Sequence, residues 1–109
     1  MGYQLRLLLL LDVKCNLLKE IQLTSGTINS SIVSPREIFI NALNYKASGI
    51  VLLHNHPSGN PQPSHEDDTM TRYVYEACKV MDLQLADHIV IGYGTYFSYL
   101  EHGEMPCDL

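Results

Sequence analysis

Within a single stretch, His54-Asn55-His56-Pro57-Ser58-Gly59-Asn60-Pro61-Gln62-Pro63-Ser64-His65-Glu66-Asp67, two imidazoles, a hydroxyl and a carboxylate recur at spacings that could build a metal site. Side chains at i and i+2 of an extended strand leave on the same face, so His54 and His56 can aim at one point where a strand runs out into a loop. Asp67 is the candidate third ligand. Two neutral imidazole nitrogens with one carboxylate oxygen suit zinc, and three protein ligands leave the fourth tetrahedral position open to water. An open position can do hydrolytic chemistry.

Each of these residues also has a plainer reading. A His-x-His pair in a turn can be satisfied by local backbone. Asp67 lies three residues after Ser64, the spacing of a serine–aspartate capping box that needs no metal; both roles are compatible, because the first helical turn points the carboxylate back toward the loop. Ser64 is equally an N-cap. Asp68 would face about 100° around the helix from Asp67, and His65 and Glu66 are expected to face solvent. Ser58 and Gly59 are expected to shape the turn.

The pattern His-x-His-x7-Ser-x2-Asp, filled by His54, His56, Ser64 and Asp67, resembles the JAMM motif of the JAB/MPN metalloprotease family. The blocks Pro35-Arg36-Glu37-Ile38, His54-Asn55-His56-Pro57-Ser58-Gly59 and Asp87-His88-Ile89 are similar to its RadC-type bacterial branch, and the resemblance runs from roughly Leu5 to Gly103. It implies an α/β fold, a mixed β-sheet sandwiched by helices in a JAB/MPN-like (cytidine-deaminase-like) architecture. It implies one Zn2+ per chain held by His54, His56 and Asp67, with Ser64 helping to hold the oxygen derived from water. It also implies a glutamate general base on an upstream strand. Glu20 is taken for that role, with Glu37 as the alternative. Asp87 and His88 are candidates to support a ligand histidine through its second ring nitrogen, or else a structural pair at a strand edge.

The implied activity is zinc-dependent peptide or isopeptide hydrolysis, with a peptide or protein as partner. Two other readings stay open: an accessory module of DNA repair or recombination, the association carried by the RadC name, and a metal-binding scaffold without turnover. Direct nucleic-acid binding by this domain is not expected, since the formal net charge is −5 and the seven Lys and Arg form no basic stripe. A homodimer is compatible with the sequence.

The 109 residues have room for one domain, 1–109, with a core of about 5–103. Hydrophobic residues at 46% with 17% charged indicate a globular chain. Cys15, Cys78 and Cys107 are far apart and form no Cys-x-x-Cys pair, which points to a reducing cytoplasm rather than a disulfide framework. The leucine run is too short to span a bilayer and lacks the cleavage site of a signal peptide.

The elements that must position the site follow from pattern. Leu5 to Val13 predicts a strand buried on both faces, joined by a turn at Asp12 to Asn16 to a second strand at Leu17 to Leu23. Ile28, Ile32 and Val33 suggest a kinked third extended segment. Ser34 and Pro35 open a helix, with Glu37 completing a capping box and Ile38, Phe39, Ala42 and Leu43 as its apolar stripe. Ile50 to Leu53 predicts a short strand delivering the histidines at its C-terminal end. The loop Pro57 to Pro63 holds three prolines. A second helix starts at Ser64 with Met70, Tyr73, Val74, Ala77 and Met81 as its stripe. Strands at Leu83 to Ile91 and Tyr96 to Leu100 flank Gly92-Tyr93-Gly94, and a polar tail follows from Glu101.

Overall fold

The computed structural model describes residues 5–23 and 34–108. Its elements are β1 (Arg6–Leu11), β2 (Leu17–Gln22), α1 (Pro35–Asn44), β3 (Gly49–Asn55), α2 (His65–Val80), β4 (Gln84–Ile91) and β5 (Tyr96–Ser98). The predicted extended segment at 28–33 lies outside the described residues.

The strands form one five-stranded sheet in the order β2-β1-β3-β4-β5. Every neighbouring pair is antiparallel except β3 and β4, which are parallel. A parallel pair needs a crossover, and α2 supplies it. The result is the mixed α/β sheet that the sequence predicts, with the helix bearing Asp67 forced to start just beyond the strand bearing His54.

The leucine run does not bury both faces. Along β1 burial alternates: Arg6, Leu8 and Leu10 are buried, while Leu7, Leu9 and Leu11 are half-buried. The inward leucines match inward residues across the ladder, Leu8 with Leu52 and Leu10 with Ile50. Ile38 and Ala42 of α1 and Met70, Val74 and Cys78 of α2 complete the same cluster. Leu8 and Leu10 have no exposed surface, a burial that contributes about 1.5–3 kcal/mol per leucine side chain. Val13, at the end of the run, is exposed in the turn.

Both helical stripes are narrower than predicted. Leu43 and Tyr73 are exposed, and Met81 is the C-cap of α2 rather than part of its buried face. In α2 the covered positions are Asp67, Met70, Thr71, Val74 and Cys78, a stripe with i, i+3 and i+4 spacing. Cys78 behaves as a small hydrophobe there. Ser34 precedes α1 but makes no side-chain cap, so the predicted Ser34–Glu37 box does not form. The Ser64–Asp67 box at α2 does.

β5 ends at Ser98, earlier than predicted. The Leu100 N–H donates to Asp87 Oδ1 at 3.0 Å and the His102 N–H to the Ser98 carbonyl at 3.1 Å, bonds that turn the chain out of the ladder. Nor is the segment after Glu101 a loose tail. His102 stacks on Phe97 with centroids 4.0 Å apart, and Met105 packs on both core clusters.

Burial raises the Cys78 thiol to about 11, whereas Cys15 and Cys107 are exposed. Because the thiolate is the reactive form, native protein treated with iodoacetamide is expected to be labelled at Cys15 and Cys107 and not at Cys78. Peptide mass mapping checks this, with labelling of Cys78 only after denaturation.

Candidate metal centre

β3 runs inward-facing from Ile50 through Leu52 to His54, so the alternation that buries two core residues buries the first histidine with them. His54 is 3% exposed. His56 lies one residue beyond the strand and is half-buried, yet its N–H still donates to the Ile91 carbonyl, extending the β3–β4 ladder past the last strand residue. The two rings stand with centroids 5.2 Å apart. Asp67 reaches them from the first turn of α2 and is itself buried.

One ligand atom from each of His54, His56 and Asp67 lies within 4.8 Å of the others. His56 Nε2 is 2.8 Å from Asp67 Oδ2, and His54 Nε2 is 3.1 Å from Asp67 Oδ1. Hydrogen bonding around the rings fixes which nitrogens carry protons. Thr71 Oγ1 donates to the Asp67 carbonyl at 2.7 Å, so its lone pair is left to receive His88 Nδ1–H at 2.5 Å. His88 Nε2 then accepts from His54 Nδ1–H at 3.1 Å. The other ligand is set more simply, by His56 Nδ1–H donating to the Asn60 carbonyl at 2.9 Å.

Both Nε2 atoms are therefore lone-pair acceptors aimed at a carboxylate, itself acceptor-only when ionised. Such a set coheres around a cation. His54 Nε2 adds a second indication, because it is buried and has no hydrogen-bond partner, its approach to Asp67 lacking hydrogen-bond alignment. An orphaned buried nitrogen costs free energy unless something occupies its lone pair. The donor set and this orphan together fit a divalent ion of the zinc type.

The charges suit the same role. Burial pushes the Asp67 carboxyl upward, but protonated His54, the Ser64 N–H and the charge of protonated His56 outweigh it, and Asp67 stays well below the usual carboxylate range; with both imidazoles neutral, a bound cation would supply that positive charge instead. Burial, reinforced by His54, lowers His88 to about 3, so it is a neutral hydrogen-bonding link at physiological pH. Tyr99 stacks on His88, rings 2° from parallel with centroids 4.8 Å apart, and donates to Asp68 Oδ1 at 2.7 Å. Asp68 is thereby turned away from the cluster.

Asp67 works in two ways at once. Oδ2 accepts the Ser64 N–H at 2.9 Å while Ser64 Oγ accepts the Asp67 N–H at 3.1 Å. The capping box that starts α2 is thus also the device that orients the carboxylate. Ser64 is exposed, and its hydroxyl serves the cap as an acceptor. His65 and Glu66 face solvent.

The proline loop is held from outside. Gly59 takes φ +88, the left-handed region, and its carbonyl accepts the Tyr93 N–H at 2.9 Å. The Tyr93 hydroxyl donates to the Pro57 carbonyl at 2.8 Å. A Cβ at Gly92 would fall 2.2 Å from the Gly59 carbonyl oxygen, so this close approach requires glycine.

Two residues read from the sequence, Glu20 and Asp87, lie on the sheet face away from the cluster. Glu20 pairs with Leu9, whose partner on β3 is Val51. Strand alternation puts it on the face opposite Leu8, Leu52 and His54, and its neighbour Ile21 packs into the core in its place. The general-base assignment of Glu20 is corrected on that ground. Glu37 is half-buried in the first turn of α1. The Asp87-His88 pair divides: His88 holds His54, while Asp87 accepts the His88 and Leu100 N–H groups and the Ser98 hydroxyl on the other side of the strand. Thr71 was not foreseen, although its i+4 spacing from Asp67 puts the two on one helix face.

Residues 4–104 match the family described as the RadC-like JAB domain. The chain is 45% identical over 97 residues to a UPF0758 protein of Pelobacter propionicus, covering 89% of this chain and 42% of that protein. It is 46% identical over 99 residues to a UPF0758 protein of Geotalea uraniireducens, covering 91% and 43%. With a UPF0758 protein of Thermotoga maritima the identity is 41% over 95 residues, covering 87% and 43%. The chain thus spans less than half the length of these curated relatives.

Removing the link that fixes His54 should weaken metal binding without unfolding the sheet. Thr71→Val and His88→Phe are each expected to lower zinc affinity roughly 10–100-fold, read by competition against a chromophoric chelator, with far-ultraviolet circular dichroism unchanged.

Proposed function

From the premise that this chain belongs to the RadC-like JAB domain family, we propose that it is a zinc-dependent metallohydrolase of the peptidase or isopeptidase type, acting on a peptide or protein. The observation that carries this reading is the convergence of three lone-pair donors with His54 Nε2 buried and unpartnered. His54, His56 and Asp67 would hold the ion. Zinc in such a set supplies a Lewis acid and lowers the pKa of a bound water from 15.7 toward about 7.

The chain's own groups supply orientation. His88 and Asn60 fix the ligand tautomers, and the neutral state of His88 keeps a second positive charge away from the ion. The exposed Ser64 hydroxyl, anchored by its cap, would donate to the oxygen on which negative charge develops. The stiff loop Pro57 to Pro63, gripped by Tyr93, would form the floor on which substrate lies. Among the described residues no helix is long and apolar enough to cross a membrane, and three free thiols suit a reducing cytoplasm, where we place the protein.

A second reading, a metal-binding scaffold without turnover, is favoured by one specific observation: the strand glutamate faces away from the cluster.

Protein purified without added metal is expected to contain one zinc per chain by elemental analysis, and His56→Ala to lose it. Zinc-loaded protein incubated with a peptide library should release fragments detectable by mass spectrometry. Glu20→Gln is expected to keep both zinc and turnover. Full zinc occupancy with an intact library would instead establish the scaffold.

A further inference from the structure

Arg6 opens β1 directly across from His54 in the β1–β3 register, on the inward face. It is 9% exposed, its Nε is buried without a hydrogen-bond partner, and its guanidinium makes no hydrogen bond or ion pair among the described residues. With His54, Leu23, Leu52 and Met70 it lines one small void. An arginine stays charged in proteins, and a buried charge without a partner is costly. Leucine or methionine would fill the same volume among these apolar neighbours at no such cost.

Burial lowers the Arg6 pKa, and Asp67 opposes this by Coulombic attraction without coming close enough to form an ion pair. Its carboxylate is also the one negative group of the cluster. Counting charges, a divalent ion with two neutral imidazoles and one carboxylate carries +1, and Arg6 makes +2. Three acidic residues are engaged elsewhere or turned away: Asp68 is bonded to Tyr99, Asp87 to Ser98, and Glu20 lies on the far face. An anionic ligand would balance that charge.

We propose that Arg6 and the metal centre form a two-point receptor for a carboxylate, so that the substrate presents an anionic group, either a peptide C-terminus or an acidic side chain, beside the bond to be cleaved. This deepens the metallohydrolase reading and rests on it. The planar fork of a guanidinium matches a carboxylate bidentately, and the positive metal centre would attract the same anion while its open position stays with water until the acyl product forms. An acyl product of amide hydrolysis is itself a carboxylate, so the same receptor predicts product inhibition.

The test uses the full chain loaded with zinc, as wild type, Arg6→Gln and Arg6→Met, with zinc content fixed by elemental analysis. Binding of N-acetylalanine, of the α-amide of N-acetylglutamic acid, and of neutral N-acetylalanine amide is measured by calorimetry. Wild type is expected to bind an acid at least tenfold more tightly than the neutral amide, and both variants to lose that margin while retaining zinc. Whichever acid binds more tightly distinguishes a C-terminal from a side-chain carboxylate. Metal-free Arg6→Met is expected to melt no lower than wild type. Zinc uptake with an acid preference that is absent, or that survives in Arg6→Gln, overturns the receptor and leaves the metal reading standing. A lowered melting temperature with unchanged acid binding makes Arg6 a packing residue and likewise overturns it. Failure of the wild type to take up zinc overturns the metal reading and the receptor with it.

Discussion

Two imidazole lone pairs and a carboxylate held within 4.8 Å of one another repel unless positive charge lies among them, and that electrostatic constraint organises everything at the open end of the sheet. The fold opposes the repulsion with rigid anchors. His54 is fixed by a strand buried on its inward face, His56 by a ladder bond carried past the strand end, and Asp67 by the box that begins α2. The end of β3 and the start of α2 meet at one point because β3 and β4 run parallel and α2 must cross between them. Loosening any one would let the acceptors separate toward solvent and dissolve the site.

Beneath the cluster the structure trades apolar packing for a hydrogen-bonded column. Thr71, His88 and His54 pass one donor–acceptor sense along the column, from the Asp67 carbonyl to the unpartnered Nε2. In a low-dielectric interior such a network is favourable only when every member is satisfied. Here every member is, apart from the atom that would face the ion. Tyr99, stacked on His88 and bonded to Asp68, closes the side of this column. The same end of the sheet holds Arg6, a charge that packing alone does not account for. Tyr93, Gly59 and Gly92 stiffen the rim from the β4–β5 turn, which is far from the loop in sequence and touches it in space.

Much of this was legible in the residues because it rests on short-range rules. The His-x-His spacing, the cap at Ser64 and the three prolines each act within a turn or a strand of their neighbours, and the structure has the strand end, box and loop where those rules put them. The readings that failed depended on which way a face turns. Lying in an upstream strand suits Glu20 to a role at the site, but a period of two makes the assignment of face a matter of register with β1. Tyr73 and Leu43 fit a helical stripe by spacing, yet the helices dock so that Thr71 and Cys78 are covered instead. The leucine run has no alternation to read, since both faces are apolar, and the fold buries only one of them fully.

The sequence by itself determined the candidate ligand set, its donor chemistry and the elements that carry it, because those follow from side-chain type and from local backbone preference over a few residues. Only the tertiary structure decided which nitrogens are free to bind, that Thr71, His88 and Asn60 set them, that Glu20 faces away and that Arg6 stands beside His54 without a partner among the described residues. Those facts are relations between strands and helices distant in the chain. They are fixed by sheet register and by the direction of hydrogen bonds across the core, neither of which is encoded in the spacing of any one segment.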